Sequence, residues 1–102
     1  MLKIALFCSG GMSTSLVGSK MKRVYEEQGR TDISVEAYDF AMIDEIGGEV
    51  DVIIIAPQIS WAKEQVEEQY PGKKIVCLTM QEFGAMDGVA VIERLKKEGV
   101  HD

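Results

Sequence analysis

The segment Val50-Asp51-Val52-Ile53-Ile54-Ile55-Ala56 is the most strand-like stretch of the chain. Its β-branched run lacks the apolar–polar alternation of a strand covered on one face only. It reads as a strand buried on both faces, which is how the centre of a parallel sheet is written. Pro57 ends it, because proline has no N–H to give to a ladder. Beyond it, Ile59, Ala62, Val66 and Tyr70 fall at helical spacing, and Pro71-Gly72 marks a turn. Lys74-Ile75-Val76-Cys77-Leu78 is a further strand. Met86, Val89, Ala90, Ile92 and Leu95 then define a last helix ending near Gly99. In the other direction, Ala41 to Ile46 predicts a short helix stopped by Gly47-Gly48. Ile33 to Tyr38 alternates as a strand with one covered face. A helix from Ser13 to about Gln28 carries Leu16, Val17, Met21, Val24 and Tyr25 on one face and is closed by Gly29. Leu2 to Cys8 is the first strand.

Strands alternating with helices predict an α/β fold, a four-stranded open parallel sheet with helices on both faces. The 102 residues suffice for one domain with one core, so residues 1–102 are read as a single unit. Hydrophobic residues make up 46% and the formal net charge is -6. That balance argues against general nucleic-acid binding, which needs a basic footprint. No stretch approaches the roughly 18 apolar residues of a membrane span, and the short apolar start lacks the features of a signal peptide. The expectation is a cytoplasmic protein without membrane insertion. The two cysteines are too few for a disulfide framework, so what matters is their reactivity.

Ligands of open parallel sheets bind beyond the carboxyl ends of the strands. There the first strand runs into Cys8-Ser9-Gly10-Gly11-Met12-Ser13-Thr14-Ser15 and then into a helix. A helix start presents unpaired N–H groups and partial positive charge, which attract anions. Gly10 and Gly11 let the backbone approach a phosphate closely. Ser13, Thr14 and Ser15 add hydroxyl donors, one of them a helix cap. A Cys8 thiol facing such donors is stabilised as the nucleophilic thiolate. The loop is neither a Walker P-loop, for want of Gly-Lys-Ser/Thr, nor a dinucleotide fingerprint.

Two families place a nucleophilic cysteine here. Low-molecular-weight tyrosine phosphatases share the expected architecture, but their signature is Cys, five residues, Arg, then Ser or Thr. Thr14 stands at the arginine position, without a guanidinium's charged fork. No Asp-Pro pair supplies a leaving-group acid. The chain more closely resembles the enzyme IIB components of the bacterial phosphotransferase sugar-uptake system, in the lactose, cellobiose and chitobiose class. The resemblance rests on Cys8-Ser9-x-Gly11-Met12-Ser13-Thr14-Ser15, on Pro57-Gln58-Ile59, and on Phe83-Gly84-x-x-Asp87-Gly88. Ala56 departs from the family's Gly-Pro-Gln. The resemblance implies a relay: a histidine phosphate on the IIA protein passes its group to Cys8. Cys8 then passes it to a sugar, such as cellobiose, chitobiose or lactose, bound by the membrane permease IIC. It implies that Ser9, Gly10, Gly11, Met12, Ser13, Thr14 and Ser15 hold the phosphoryl group, that Pro57 and Gln58 wall the site, and that no cofactor or metal takes part.

A phosphatase and a regulatory anion-binding domain stand as alternatives. A redox role is weaker, since no Cys-x-x-Cys occurs. Cys77 reads as core, terminal His101 as frayed, and Asp87 as a turn or cap residue. Lys20, Lys22 and Arg23 form a solvated or docking face. Met12, Met42, Met80 and Met86 read as core filler, with Met12 also available to partners.

Overall fold

The computed structural model describes residues 2–9, 12–85 and 87–100, with the side chains of Met12 and Ser13 outside the description. Its strands are β1 (Leu2–Cys8), β2 (Ile33–Asp39), β3 (Val52–Ile55) and β4 (Lys74–Cys77), all paired in parallel in the order β2-β1-β3-β4. The four-stranded parallel sheet is the expected one. Val50–Ala56 contributes only its middle as formal strand, yet pairing continues past both ends. The Asp51 carboxylate accepts from Lys3 N–H at 2.8 Å, and Ala56 N–H donates to the Phe7 carbonyl at 3.0 Å. Every residue from Val52 to Ile55 is buried.

The helices are α1 (Met12–Glu27), α2 (Ile43–Ile46), α3 (Lys63–Gln69), α4 (Met80–Gly84) and α5 (Gly88–Lys97). Short 3-10 turns at Phe40–Met42, Gly47–Glu49 and Pro57–Ala62 flank α2 and precede α3. Right-handed crossovers place α1 and α5 together on one face of the sheet and α2 and α3 on the other. Gly29, at φ 75°, ends α1 as read: its N–H donates to Glu26 and Arg30 N–H to Tyr25, a glycine-dependent helix stop.

Three expectations change. The last helix is present as α5, but a short helix not expected, α4, precedes it. Thr79 and Glu82 close a capping box that starts α4, and the Asp87 carboxylate caps α5 by accepting from Val89 N–H. Asp87 is thus the cap residue expected. Leu16 and Val89 are exposed, whereas Val17, Met21, Tyr25, Val91, Ile92 and Leu95 face the core. Met80, read as core filler, is 68% exposed because it opens α4 at the surface. Met86 and His101 lie outside the described residues.

Candidate functional site

β1 lies between β2 and β3, so its last residue emerges inside the sheet rather than at an edge. That residue is Cys8, only 5% exposed. Its neighbours follow from the register. Asp39 stands opposite on β2, and Ala56 bonds the Phe7 carbonyl on the β3 side. Pro57 and Gln58 follow Ala56 directly, half-buried and exposed respectively, beside the carboxyl end of β1. Ser9 is exposed next to Cys8.

On the far side of the loop, α1 begins at Met12. Its sixteen residues give it an amino terminus that follows β1 in the chain. Thr14 and Ser15 sit in its first turn. Ser15 is exposed and lines a groove with Gly18, Ser19 and Glu36, between α1 and β2. Thr14 is buried at 2% exposure, and its Oγ1 has no hydrogen-bond partner among the described residues. The structure thus gathers Cys8, Ser9, Thr14, Ser15, Pro57 and Gln58 at one end of the sheet. Gly10 and Gly11 lie outside the described residues, as do the side chains of Met12 and Ser13, so the proposed cap and glycine cradle fall there too.

Cys77 is separated from this site. Phe7, Ile55 and Cys77 share one row across β1, β3 and β4, so their side chains point to one face. Cys8, one residue on from Phe7, points to the other. Two strand spacings, roughly 10 Å, also part the two cysteines, beyond disulfide reach. Cys77 is half-buried rather than fully enclosed, and burial pushes its thiol up. Among the described residues no cluster of His, Cys, Asp or Glu is arranged to hold a metal ion, and no helix is long and apolar enough to cross a membrane.

One surface feature is absent from the sequence reading. Leu16, Trp61, Met80 and Val89 are large apolar side chains left exposed. Leu16, Trp61 and Met80 stand in the segments that follow β1, β3 and β4, whereas Val89 opens α5, whose Gly88 packs on Lys20 and Met21 in the middle of α1. Trp61, 67% exposed, is held edge-on against Phe40 at 5.7 Å between ring centroids. The only tryptophan of the chain, four residues after Pro57, was the available signal.

Comparison with known proteins adds an independent line. The family described as "PTS system, Lactose/Cellobiose specific IIB subunit" matches residues 3–94. The galactose-specific EIIB component of Lactococcus lactis subsp. cremoris is 34% identical over 96 residues, 87% of this chain and 88% of that protein. The cellobiose-specific EIIB component of Lactococcus lactis subsp. lactis is 33% identical, with the same coverage. The oligo-beta-mannoside-specific EIIB component of Bacillus subtilis is 34% identical over 98 residues, 92% of each chain. Among solved structures, the lactose-specific IIB domain of Streptococcus pneumoniae superposes with a TM-score of 0.83 at 18% identity, covering 93% of this chain and 95% of that one. The cellobiose-specific IIB protein of Borrelia burgdorferi gives 0.75 at 25% identity, covering 95% and 90%.

Proposed function

The chain belongs to the lactose/cellobiose-specific IIB subunits of the phosphotransferase system, and from that premise we propose that Cys8 is the phosphoryl carrier. The observation that carries the reading is a cysteine at the end of a central strand, followed by the amino terminus of α1 and by a Thr14 hydroxyl that is buried and without a partner among the described residues. The Cys8 thiolate attacks the phosphorus of a histidine phosphate on IIA. The N–P bond breaks as the S–P bond forms. A hydroxyl oxygen of the sugar held by IIC then attacks the same phosphorus, and the S–P bond breaks to return the thiolate. The hydroxyl proton leaves to a base on the IIC side.

First-turn amides of α1 and the Ser9 to Ser15 loop hold the phosphoryl oxygens between these steps, with Pro57 and Gln58 as the wall toward β3. No cofactor or metal is needed. Thr14 in place of a phosphatase's arginine supports carriage over hydrolysis, since no full positive charge is aimed at the transition state. The exposed Leu16, Trp61 and Met80, on the segments that follow β1, β3 and β4, support contact with protein partners, as aromatic and aliphatic anchors do at interfaces. The three relatives named above serve galactose, cellobiose and oligo-beta-mannoside at nearly equal identity. These names do not select one sugar; the β-linked disaccharide reading rests on the family resemblance, and the site of action is read as the cytoplasmic side of the membrane.

Intact mass measurement after incubation with phosphoenolpyruvate and the upstream relay proteins tests this. One phosphoryl group is expected, mapped to Cys8 and absent from Cys8→Ser. Phosphorylation that persists in Cys8→Ser would refute the assignment. Rapid hydrolysis of small phosphate esters, abolished by Cys8→Ser, would favour the phosphatase instead.

A further inference from the structure

Thr14 holds a hydroxyl where a valine would fill the same space. A helical threonine ordinarily turns its hydroxyl to water or back to a carbonyl three or four residues earlier. Here Oγ1 is shut away from water and unpaired among the described residues, so it bears the cost of lost hydration with no return. Helical Cα–Cβ bonds tilt toward the amino terminus. Oγ1 of the third residue of α1 therefore lies at the start of that helix, on the side from which Cys8 leads in. Cys8 is buried as well, and a phosphoryl group on its sulfur needs donors, which the first-turn N–H groups and this hydroxyl could supply from the start of the next element.

We propose that Thr14 is a load-sensing positioning residue, whose hydroxyl is unpaired while Cys8 is bare and donates to a phosphoryl oxygen when Cys8 is charged. The inference rests on the reading of the Cys8 loop as an oxyanion site. It adds a coupling that reading does not contain: the charged protein is more stable than the bare one, because charging relieves a buried unsatisfied group. Coupling is reciprocal. The hydroxyl that stabilises the charged state also holds the group back, and its removal shifts the exchange equilibrium toward the IIA histidine phosphate.

Inorganic phosphate titrated into Cys8→Ser protein is the probe, compared with Cys8→Ser carrying Thr14→Val or Thr14→Ser. Thr14→Val is expected to weaken phosphate binding by about tenfold or more, the weight of one hydrogen bond to a charged group. It should also shrink the rise in melting temperature at a fixed phosphate concentration, while Thr14→Ser retains both. Without phosphate, Thr14→Val should melt at or above its parent, since it removes an unpaired polar atom. Thr14→Ala serves if Thr14→Val does not fold, with the phosphate-induced rise as the readout. Failure of Cys8→Ser to bind phosphate overturns the inference, as does tight binding in Thr14→Val. A marked drop in its phosphate-free melting temperature does the same, because the hydroxyl then already has a partner. If the relay proteins charge Cys8 while phosphate binding ignores Thr14, the carrier reading stands and this inference falls. If Cys8 is never charged, the carrier reading and the load-sensing inference fall together, whatever Thr14 does to phosphate binding.

Discussion

Gly88 is pressed against the backbone of Lys20. A Cβ added at Gly88 would stand 2.6 Å from the Lys20 carbonyl carbon, 2.7 Å from its oxygen and 2.8 Å from Met21 N. Backbone cannot rotate aside as a side-chain tip can, so the two helices would have to part. Gly88→Ala is expected to cost about 1–3 kcal/mol by overpacking. In urea the midpoint should fall with an unchanged slope. Gly84→Ala, where a Cβ meets nothing within 4 Å, is the control and should be neutral or better.

A second close approach joins α2 to α3. A Cβ on Gly47 would lie 2.6 Å from the Tyr70 ring, whose hydroxyl donates to the Ile43 carbonyl at 3.0 Å. Tyr70→Phe should lose about 0.5–1.5 kcal/mol, the worth of one hydrogen bond. Gly47→Ala should lose more, and its cost should shrink in a Tyr70→Leu background. A double-mutant cycle by urea unfolding checks this, and strict additivity would show that the ring is not what Gly47 accommodates.

Glu82 serves two groups with one oxygen. Oε1 accepts from Thr79 N–H at 2.9 Å and from Arg94 Nη1 at 2.7 Å. The cap should outweigh the ion pair, which is partly open to water. Thr79→Ala is expected to cost about 0.5–2 kcal/mol, and Arg94→Met no more than about 1 kcal/mol. Thermal unfolding of the two variants gives the order.

Alkaline stability should fall for a stated reason. Burial raises the Tyr25 hydroxyl above its ordinary 10.0, with Arg30 pulling partly back, and burial raises the Cys77 thiol above its ordinary 9.0. The folded state prefers both groups neutral. Their contribution is whole below those ordinary values and is lost as pH climbs through the raised ones. Unfolding midpoints measured from neutral to strongly alkaline buffer should decline, and Tyr25→Phe should flatten the decline. Asp32 works in the opposite sense, since bonding to Arg30 lowers its carboxyl. Its contribution is present above the ordinary 3.8 and fades as pH falls through the lowered value, so Asp32→Asn should soften the acid limb.

Ile53-Ile54-Ile55 was legible because such a run has no polar face to offer water, and the fold class followed from it. Cys8 and Thr14 were placed by adjacency, since a loop that short keeps its residues together wherever its ends are fixed, whereas Pro57 reaches the same end through the pairing of β3 with β1. Periodicity was less informative about cover. Leu16 and Val89 share a helical rhythm with core residues, but nothing in a rhythm says whether another element lies above it. The helix α4 was missed because five residues are too few to show a periodicity, although Thr79-x-x-Glu82 was the available start signal. The burial of Thr14 was hidden as well, since a hydroxyl at a helix start ordinarily caps or faces solvent.

The placement of β1 between β2 and β3 has a consequence for biosynthesis. The strand made first is the one that needs partners from both sides, and its second ladder runs from Ile4 opposite Val52 to Phe7 opposite Ile55. Parallel pairing allows no hairpin to shelter it early, because each partner arrives only after an intervening crossover. While the chain emerges from the ribosome, Leu2–Cys8 remains an apolar segment with one bare ladder until residue 55 is free to join it. Cys8 thus waits at the tip of an unfinished sheet, and the nascent chain is open to oxidation and mispairing for longer than the finished domain.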